Sequence, residues 1–85
     1  MIVRIKGKCW KIVEADLQAE DGACVDSERL IEIRRGQRPR NRMDTLIHEL
    51  LHAVFWEMSE TDVRKAAKVL TTGLWGDGWR RHGTK

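Results

Sequence analysis

Apolar and polar residues alternate along the first part of the chain with the period of two that a half-buried β-strand requires. The alternation holds over the first segment, 3–6, and the fourth, 30–33, while the second, 9–15, with Trp10, Ile12 and Val13, and the apolar third, 23–25, are the other predicted strands. Asp21-Gly22 marks a turn before the third segment, and the polar stretch 26–29 joins the third segment to the fourth. The last two segments therefore predict a β-hairpin in which Ile31 and Ile33 face the core.

Two amphipathic helices are predicted in the second half of the chain. After a loop over residues 35–41, apolar residues recur with the i, i+3, i+4, i+7 spacing of a helix at Met43, Leu46, Ile47, Leu50, Leu51, Val54 and Met58. Ser59 fits the N-cap of a second helix from Glu60 to Trp75, with Asp62 at the position that completes a capping box. Glycines shortly after Trp75 end this helix.

The order of these elements predicts one small α+β domain over residues 1–85. In this domain an antiparallel or mixed sheet of three to four strands packs on the first helix, and the second helix follows. The segment from about residue 79 is predicted to be a basic tail.

The composition indicates the cellular compartment in which the protein is expected. Charged residues make up 34% and hydrophobic residues 41% of the sequence, which is the balance of a soluble globular domain. No apolar run approaches the roughly 18 residues that span a bilayer, and the N-terminus lacks the features of a signal peptide. We therefore expect a cytoplasmic protein of a prokaryote or its virus, with no membrane partner. Cys9 and Cys24 are not in a C-x-x-C spacing and are expected to remain reduced thiols.

The first helix carries the motif H-E-x-x-H as His48-Glu49-Leu50-Leu51-His52. Residues four apart lie on the same helix face, so His48 and His52 can bind one metal ion with two imidazole nitrogens. Glu49 lies about 100° further round the helix, close to the metal but off the line of the ligands. This pattern is typical of zinc peptidases, in which the glutamate is the general base for a metal-bound water. It predicts a Zn²⁺ site with Glu49 as the catalytic residue.

The motif supplies two ligands, whereas a catalytic zinc ion usually takes three from the protein. The longer motif of metzincins is excluded, because Phe55 and Met58 stand where it requires glycine and histidine. The start of the second helix can fold back toward the histidines. Glu60 is therefore the preferred third ligand, with Asp62 as the second choice and His82 of the tail as an outside candidate.

Four stretches, 22–26, 30–33, 45–53 and 59–63, resemble small phage-type SprT-like metallopeptidase domains and, more distantly, the immunity-repressor peptidases of mobile elements. The resemblance covers residues from about 20 to 75 and is most specific over 45–53. It implies a zincin-like fold, zinc held by His48 and His52, Glu49 as base, and a carboxylate at the position of Glu60. One departure is that the chain has no tyrosine, so the tyrosine that some zincins place on the oxyanion is absent.

The resemblance also implies how a protein or peptide substrate binds. In such domains the strand before the metal-binding helix lines the cleft, and here that strand is the segment 30–34. An extended substrate would add to its edge through main-chain hydrogen bonds. Trp56 lies on the histidine side of its helix and is expected to form a wall of the cleft.

Five arginines are concentrated before and at the start of the first helix, at positions Arg34, Arg35, Arg38, Arg40 and Arg42. Such a cluster can contact nucleic-acid phosphates or acidic substrates. The SprT resemblance agrees with a weak nucleic-acid contact, because proteins of that kind include peptidases acting on DNA-bound proteins. A solvated loop that keeps the domain soluble accounts for the same residues, and the sequence leaves both interpretations open.

Two functions follow from these patterns. The first is a zinc metalloendopeptidase that hydrolyses a peptide bond. The alternative is a non-catalytic module, stabilised by zinc, that binds nucleic acid or a host protein; bound zinc can add several kcal/mol to the stability of so small a domain. Glu49 favours the peptidase, because a structural zinc site requires only the ligands.

Overall fold

The structure, a computed structural model, describes residues 1–82 as a four-stranded sheet and two α-helices. The strands are β1 (Ile2–Ile5), β2 (Lys8–Ala15), β3 (Gly22–Val25) and β4 (Leu30–Arg34), and the helices are α1 (Pro39–Val54) and α2 (Glu60–Gly76). A short 3₁₀ turn, Asp26–Glu28, joins β3 to β4. The α+β class and the hairpin predicted from the hydrophobic pattern are confirmed.

The sheet is mixed and has the strand order β1-β2-β4-β3. β1 pairs with β2, and β3 with β4, in antiparallel hairpins, whereas β2 and β4 run parallel to each other. β4 therefore lies inside the sheet, and β3 forms an outer edge. This arrangement decides which strand can offer free main-chain groups next to the helices.

The core lies between one face of the sheet and α1. The buried side chains of this cluster are Ile5, Trp10, Ile12, Ile31, Ile33 and Ala53. Ile31 and Ile33 have no exposed surface, as the alternation along β4 predicts. They anchor the central strand beneath the helix that carries the histidines.

Helix α1 begins and ends earlier than its apolar pattern predicts. It starts at Pro39 rather than near Met43, because proline suits the first turn, where its fixed φ is helical and no N–H partner is needed. It ends at Val54 rather than Met58, and the chain then turns so that the Met58 N–H donates to the Phe55 carbonyl. This turn sends the following helix back toward the histidines.

The most buried positions of α1 also differ from the predicted apolar stripe. They are Thr45, Glu49 and Ala53, which are spaced four residues apart on one face. Leu46 and Leu50 pack against the core but remain only partly buried. The physical reason is that β3 approaches this face closely at Gly22, so that only small or slender side chains fit there.

Helix α2 matches its predicted bounds to within one residue, and Ser59 caps it by accepting a hydrogen bond from the Asp62 N–H. Its buried positions, Val63, Ala67 and Thr71, form one stripe. Thr71 Oγ1 donates to Asp44 Oδ1 of α1 over 3.3 Å. The hydrogen bond joins the C-terminal part of α2 to the first half of α1, so the two helices run antiparallel and the start of α2 lies beside the C-terminal half of α1.

Part of the predicted basic tail lies against the body of the domain. The Arg80 guanidinium stacks 3.5 Å above the Trp75 ring, and Arg81 forms an ion pair with Glu14 of β2. Lys85, the last basic residue of that tail, lies outside the described residues.

Replacing Ile33 by alanine is expected to lower the free energy of unfolding by about 2–5 kcal/mol, because it removes a fully buried side chain from the central strand. Urea denaturation in the presence of EDTA measures this loss. Ile2→Ala is the control: Ile2 is 64% exposed, and its replacement should change stability by less than about 0.5 kcal/mol. Equal losses in the two variants would contradict the assignment of the core.

Candidate metal centre

Two helices and one turn bring three potential metal ligands together. His48 and His52 lie one turn apart on α1, and Glu60 is the first residue of α2. The turn after Val54 reverses the chain, so the N-terminus of α2 meets the C-terminal half of α1. We refer to His48, His52 and Glu60 as the ligand group.

The donor atoms of the ligand group form a small triangle. His48 Nε2 lies 2.9 Å from Glu60 Oε1, and His52 Nε2 lies 2.8 Å from Glu60 Oε2. The two Nε2 atoms are 3.2 Å apart, and the imidazole rings meet edge to face. One atom from each residue therefore lies within 4.8 Å of both others.

These residues fit a divalent cation such as zinc. Zinc binds nitrogen and oxygen at about 2.0–2.2 Å in a tetrahedron, which places ligand atoms roughly 3.3 Å apart. The observed separations of 2.8–3.2 Å are slightly shorter than this, and the two contacts to Glu60 end on different carboxylate oxygens, so the Glu60 side chain would move to admit an ion. A cation between the three side chains would satisfy their converging lone pairs together. Two imidazoles and one carboxylate form a donor set that catalytic zinc sites use.

The other candidate ligands lie elsewhere. Asp62 uses its main-chain N–H to complete the cap of α2, and its side chain is not part of the ligand group. His82 is also outside this group. Arg64, one helical turn after Glu60, places its guanidinium 3.5 Å from Glu60 Oε1. The sequence analysis did not single out this contact, although the i, i+4 spacing of the two residues indicates it.

Glu49 lies beside the ligand group with only 8% of its surface exposed. Burial raises the pKa of its carboxyl group, and the nearby imidazoles of His48 and His52 oppose this effect. A buried carboxylate next to a metal position is where a proton acceptor for a metal-bound water is needed. The predicted base and the predicted ligands are therefore close together in space.

Gly22, at the start of β3, allows the strand to approach Glu49. A methyl group at this position would lie 2.6 Å from Thr45 Cγ2 and 3.1 Å from Glu49 Cγ and Oε2. Of the predicted Asp21-Gly22 turn, Asp21 lies in a bend, whereas Gly22 already belongs to β3 and pairs with Ile33. An isolated glycine at a strand position can signal such a close approach.

A pocket of about 500 Å³ opens over the ligand group. It lies between β3 and the two helices, and its lining comprises Glu20, Gly22, Ala23, Cys24, His48, Glu49, His52, Trp56 and Glu60. Trp56 forms part of the wall, although it lies in the turn after α1 and not on the helix as predicted. Burial, with the carboxylates of Glu49 and Asp26, raises the pKa of the Cys24 thiol to about 11, so this side chain is neutral at pH 7. We call this cavity the metal pocket.

The strand that borders the metal pocket is β3, not the segment 30–34 that the resemblance to SprT-like domains implied. β4 is paired on both sides, with β2 and β3, and has no free edge. The Arg34 N–H donates to the Asp21 carbonyl, and from there the hydrogen-bonded pairs of β3 and β4 alternate. This alternation directs the main-chain groups of Gly22 and Cys24 away from β4, along the outer edge.

Several arginines of the predicted cluster have partners within the domain. Arg34 pairs with Asp21, and Arg35 donates to the Glu14 carbonyl and pairs with Asp16. The Arg42 guanidinium binds the Glu14 side chain over 3.2 Å, and this hydrogen bond lowers the pKa of Glu14. These arginines thus link the loop and the start of α1 to the sheet.

Replacing Gly22 by alanine is expected to lower the free energy of unfolding by about 1–3 kcal/mol, because the new methyl group collides with Thr45 and crowds Glu49. Urea denaturation of the metal-free protein measures the change. Gly73→Ala is the matched control, since Gly73 lies in α2 with open space around its Cβ position, and alanine should stabilise the helix by about 0.5–1 kcal/mol. The two variants are expected to change the free energy of unfolding in opposite directions. An unchanged free energy of unfolding in Gly22→Ala would contradict the close contact between β3 and α1.

No protein-family model, no curated protein and no solved structure matches this chain. Among the helices of residues 1–82, none is long and apolar enough to cross a membrane. The geometry of the ligand group and the metal pocket is thus the basis for assigning a function.

Proposed function

We propose that this protein is a zinc-dependent peptidase with a zincin-like domain. The observation that carries the proposal is the convergence of His48, His52 and Glu60 beside the buried carboxylate of Glu49. Neither part alone is specific, because a His-Glu ion pair or a buried glutamate occurs in many proteins. A three-ligand group with an adjacent proton acceptor, open to a pocket, is the arrangement that metal-assisted hydrolysis requires.

The residues divide into two roles. His48, His52 and Glu60 would hold the ion, which when bound would lower the pKa of a water molecule and polarise a carbonyl group. Glu49 accepts the proton of the attacking water at its carboxylate and can donate it to the departing amine. The low exposure of Glu49 keeps this carboxylate out of bulk solvent.

The edge of β3 provides a place for an extended peptide. Gly22 and Cys24 direct their main-chain groups outward, and both residues line the metal pocket. A peptide that adds to this edge by main-chain hydrogen bonds would lie along the pocket. The substrate class that this geometry favours is therefore a protein or peptide in an extended conformation.

One observation favours the alternative of a zinc-stabilised binding module. The ligand group joins the C-terminal half of α1 to the first residue of α2, so a bound ion would stabilise the helix pair whether or not it is catalytic. The two functions differ in what they require of Glu49. A structural ion makes no use of a buried carboxylate beside its ligands.

Glu49→Gln is expected to retain zinc and to lose peptide cleavage by about 10²–10⁴-fold, because the amide cannot accept a proton from water. Zinc content by atomic emission and cleavage of an unfolded protein such as reduced casein are measured on the same preparations. Glu60→Gln should lose zinc affinity by more than the roughly 10–100-fold that follows loss of an outer-shell partner, because it removes a ligand.

Asp62→Asn is the matched control for Glu60→Gln. It removes the same charge two residues along α2, outside the ligand group, and should keep both zinc and cleavage. Zinc bound by the original protein and by Glu49→Gln, with no cleavage by the original protein, would favour the binding module, whereas zinc retained by Glu60→Gln would contradict Glu60 as a ligand. Absence of zinc from the original protein would refute both functions.

Cys24→Pro is expected to abolish peptide cleavage while zinc stays bound, because it removes an outward N–H from the edge of β3 without removing a hydrogen bond to β4. Cys24→Val controls for loss of the thiol and should keep cleavage. Thermal unfolding of both variants establishes that the sheet remains folded. Cleavage by a folded Cys24→Pro protein at the original rate would exclude this edge as the substrate site.

A further inference from the structure

We propose that a second pocket next to the metal pocket is a subsite for an acidic side chain of the bound peptide; this rests on the proposed function and specifies its substrate class. The second pocket has a volume of about 580 Å³ and shares Trp56 with the metal pocket. Its lining includes three basic residues, Lys6, Lys8 and Arg29, and one acidic residue, Asp26. We call it the basic pocket.

The two pockets follow one another along the same two elements. β3 contributes Gly22 to Cys24 to the metal pocket, and the chain then continues to Asp26 and Ser27 in the basic pocket. On the helix side, His52 lines the first pocket and Ala53 the second. A strand advances about 3.3 Å per residue, so a peptide along β3 reaches the basic pocket within two or three residues of the ligand group.

The backbone gives independent support for a role of the basic side chains. Within residues 1–82, Lys6 and Arg29 are the two non-glycine residues with positive φ, at 52° and 48°. Lys6 precedes Gly7 in the turn between β1 and β2, where two positive φ angles favour Asn-Gly. Arg29 caps the 3₁₀ turn in the left-handed conformation, where glycine or asparagine is favoured.

Both disfavoured positions therefore carry a basic residue that lines the same pocket. Nothing in the turn geometry requires a long cationic side chain, and asparagine or glycine would suit either backbone better. Residues held in sparsely populated backbone conformations concentrate at ligand sites. The charge of Lys6 and Arg29, rather than their backbone preference, is the feature that a ligand can use.

The chemistry of the basic pocket matches a carboxylate on a short aliphatic stem. Trp10 and Ala53 are buried and supply apolar surface, while the basic groups are exposed. Aspartate and glutamate side chains bring both an aliphatic part and a charge of the required sign. A peptide on β3 is favoured over a nucleic-acid strand as the source, because the outward main-chain groups of Gly22 and Cys24 lie at the metal pocket and the chain continues from there to Asp26 and Ser27 of the basic pocket.

The test uses zinc-loaded protein and a library of ten-residue synthetic peptides, amidated at the C-terminus and randomised at the six central positions. Mass spectrometry of the products is expected to show about three- to fivefold enrichment of Asp or Glu over Asn or Gln at one position within three residues of the cleaved bond, as exposed charge pairs typically give. Cleavage without such enrichment would overturn the subsite and leave the peptidase function standing.

The Lys6→Asn and Arg29→Asn double variant removes both charges and keeps a residue that adopts the left-handed backbone readily. It should retain zinc and thermal stability and lose the acidic enrichment. Lys65→Asn with Lys68→Asn removes the same charge from the exposed surface of α2 and should keep the enrichment. Acidic enrichment that survives in the Lys6/Arg29 variant would contradict the proposal.

A binding measurement separates the subsite from the chemistry. Two blocked, fluorescein-labelled peptides of identical alanine-valine sequence, with one central Glu or Gln, are titrated into zinc-loaded Glu49→Gln protein and followed by anisotropy. A preference of about three- to fivefold for the Glu peptide that the Lys6/Arg29 variant abolishes supports the subsite even where the original protein cleaves nothing. Equal binding of the two peptides overturns the subsite. Displacement of the labelled Glu peptide by oligothymidylate at a lower concentration than unlabelled Glu peptide requires also overturns it.

Discussion

The contact between the start of β3 and the middle of α1 determines the arrangement of the site. The strand lies so close to the helix that only a glycine fits opposite Thr45 and Glu49. This contact buries Glu49 beside the histidines and places the free edge of the sheet next to them. A bulkier residue at position 22 would separate the strand from the helix and expose the carboxylate to solvent. Burial of one charged side chain and access to one strand edge thus have a common cause.

The ligand group depends on a different constraint, the return of α2 after the turn that follows Val54. Ser59 caps α2, and the small buried residues along its inner face let it approach α1 closely. Glu60 meets the histidines because it is the first helical residue after that cap. The carboxylate is therefore placed by main-chain geometry more than by its own contacts, and its side chain remains exposed.

Local signals predicted much of this structure. Apolar segments bounded by turn residues identified the four strands, the cap at Ser59 gave the start of α2, and the spacing of His48 and His52 located the potential ligands. The edge of the sheet could not be predicted in the same way, because the parallel pairing of β2 with β4 joins segments about twenty residues apart. The role of Gly22 depends on the same long-range pairing, since a short strand beginning with glycine resembles a turn in sequence. Pro39 was predicted to lie in a loop but begins α1. Proline occurs both in loops and in the first turn of helices, so its presence does not distinguish the two.

The mixed sheet has a consequence for the order in which the site forms. The ligand group belongs to one helical hairpin, and its outermost members are separated by only twelve positions in the chain. Such short-range contacts form early and quickly, whereas the surroundings of Glu49 require β3, which is held in the sheet through the slower, non-local union of two β-hairpins. During folding, the ligand group can therefore come together before β3 encloses Glu49. Assembly of the ligand group and enclosure of Glu49 are thus separate steps in the folding of this domain.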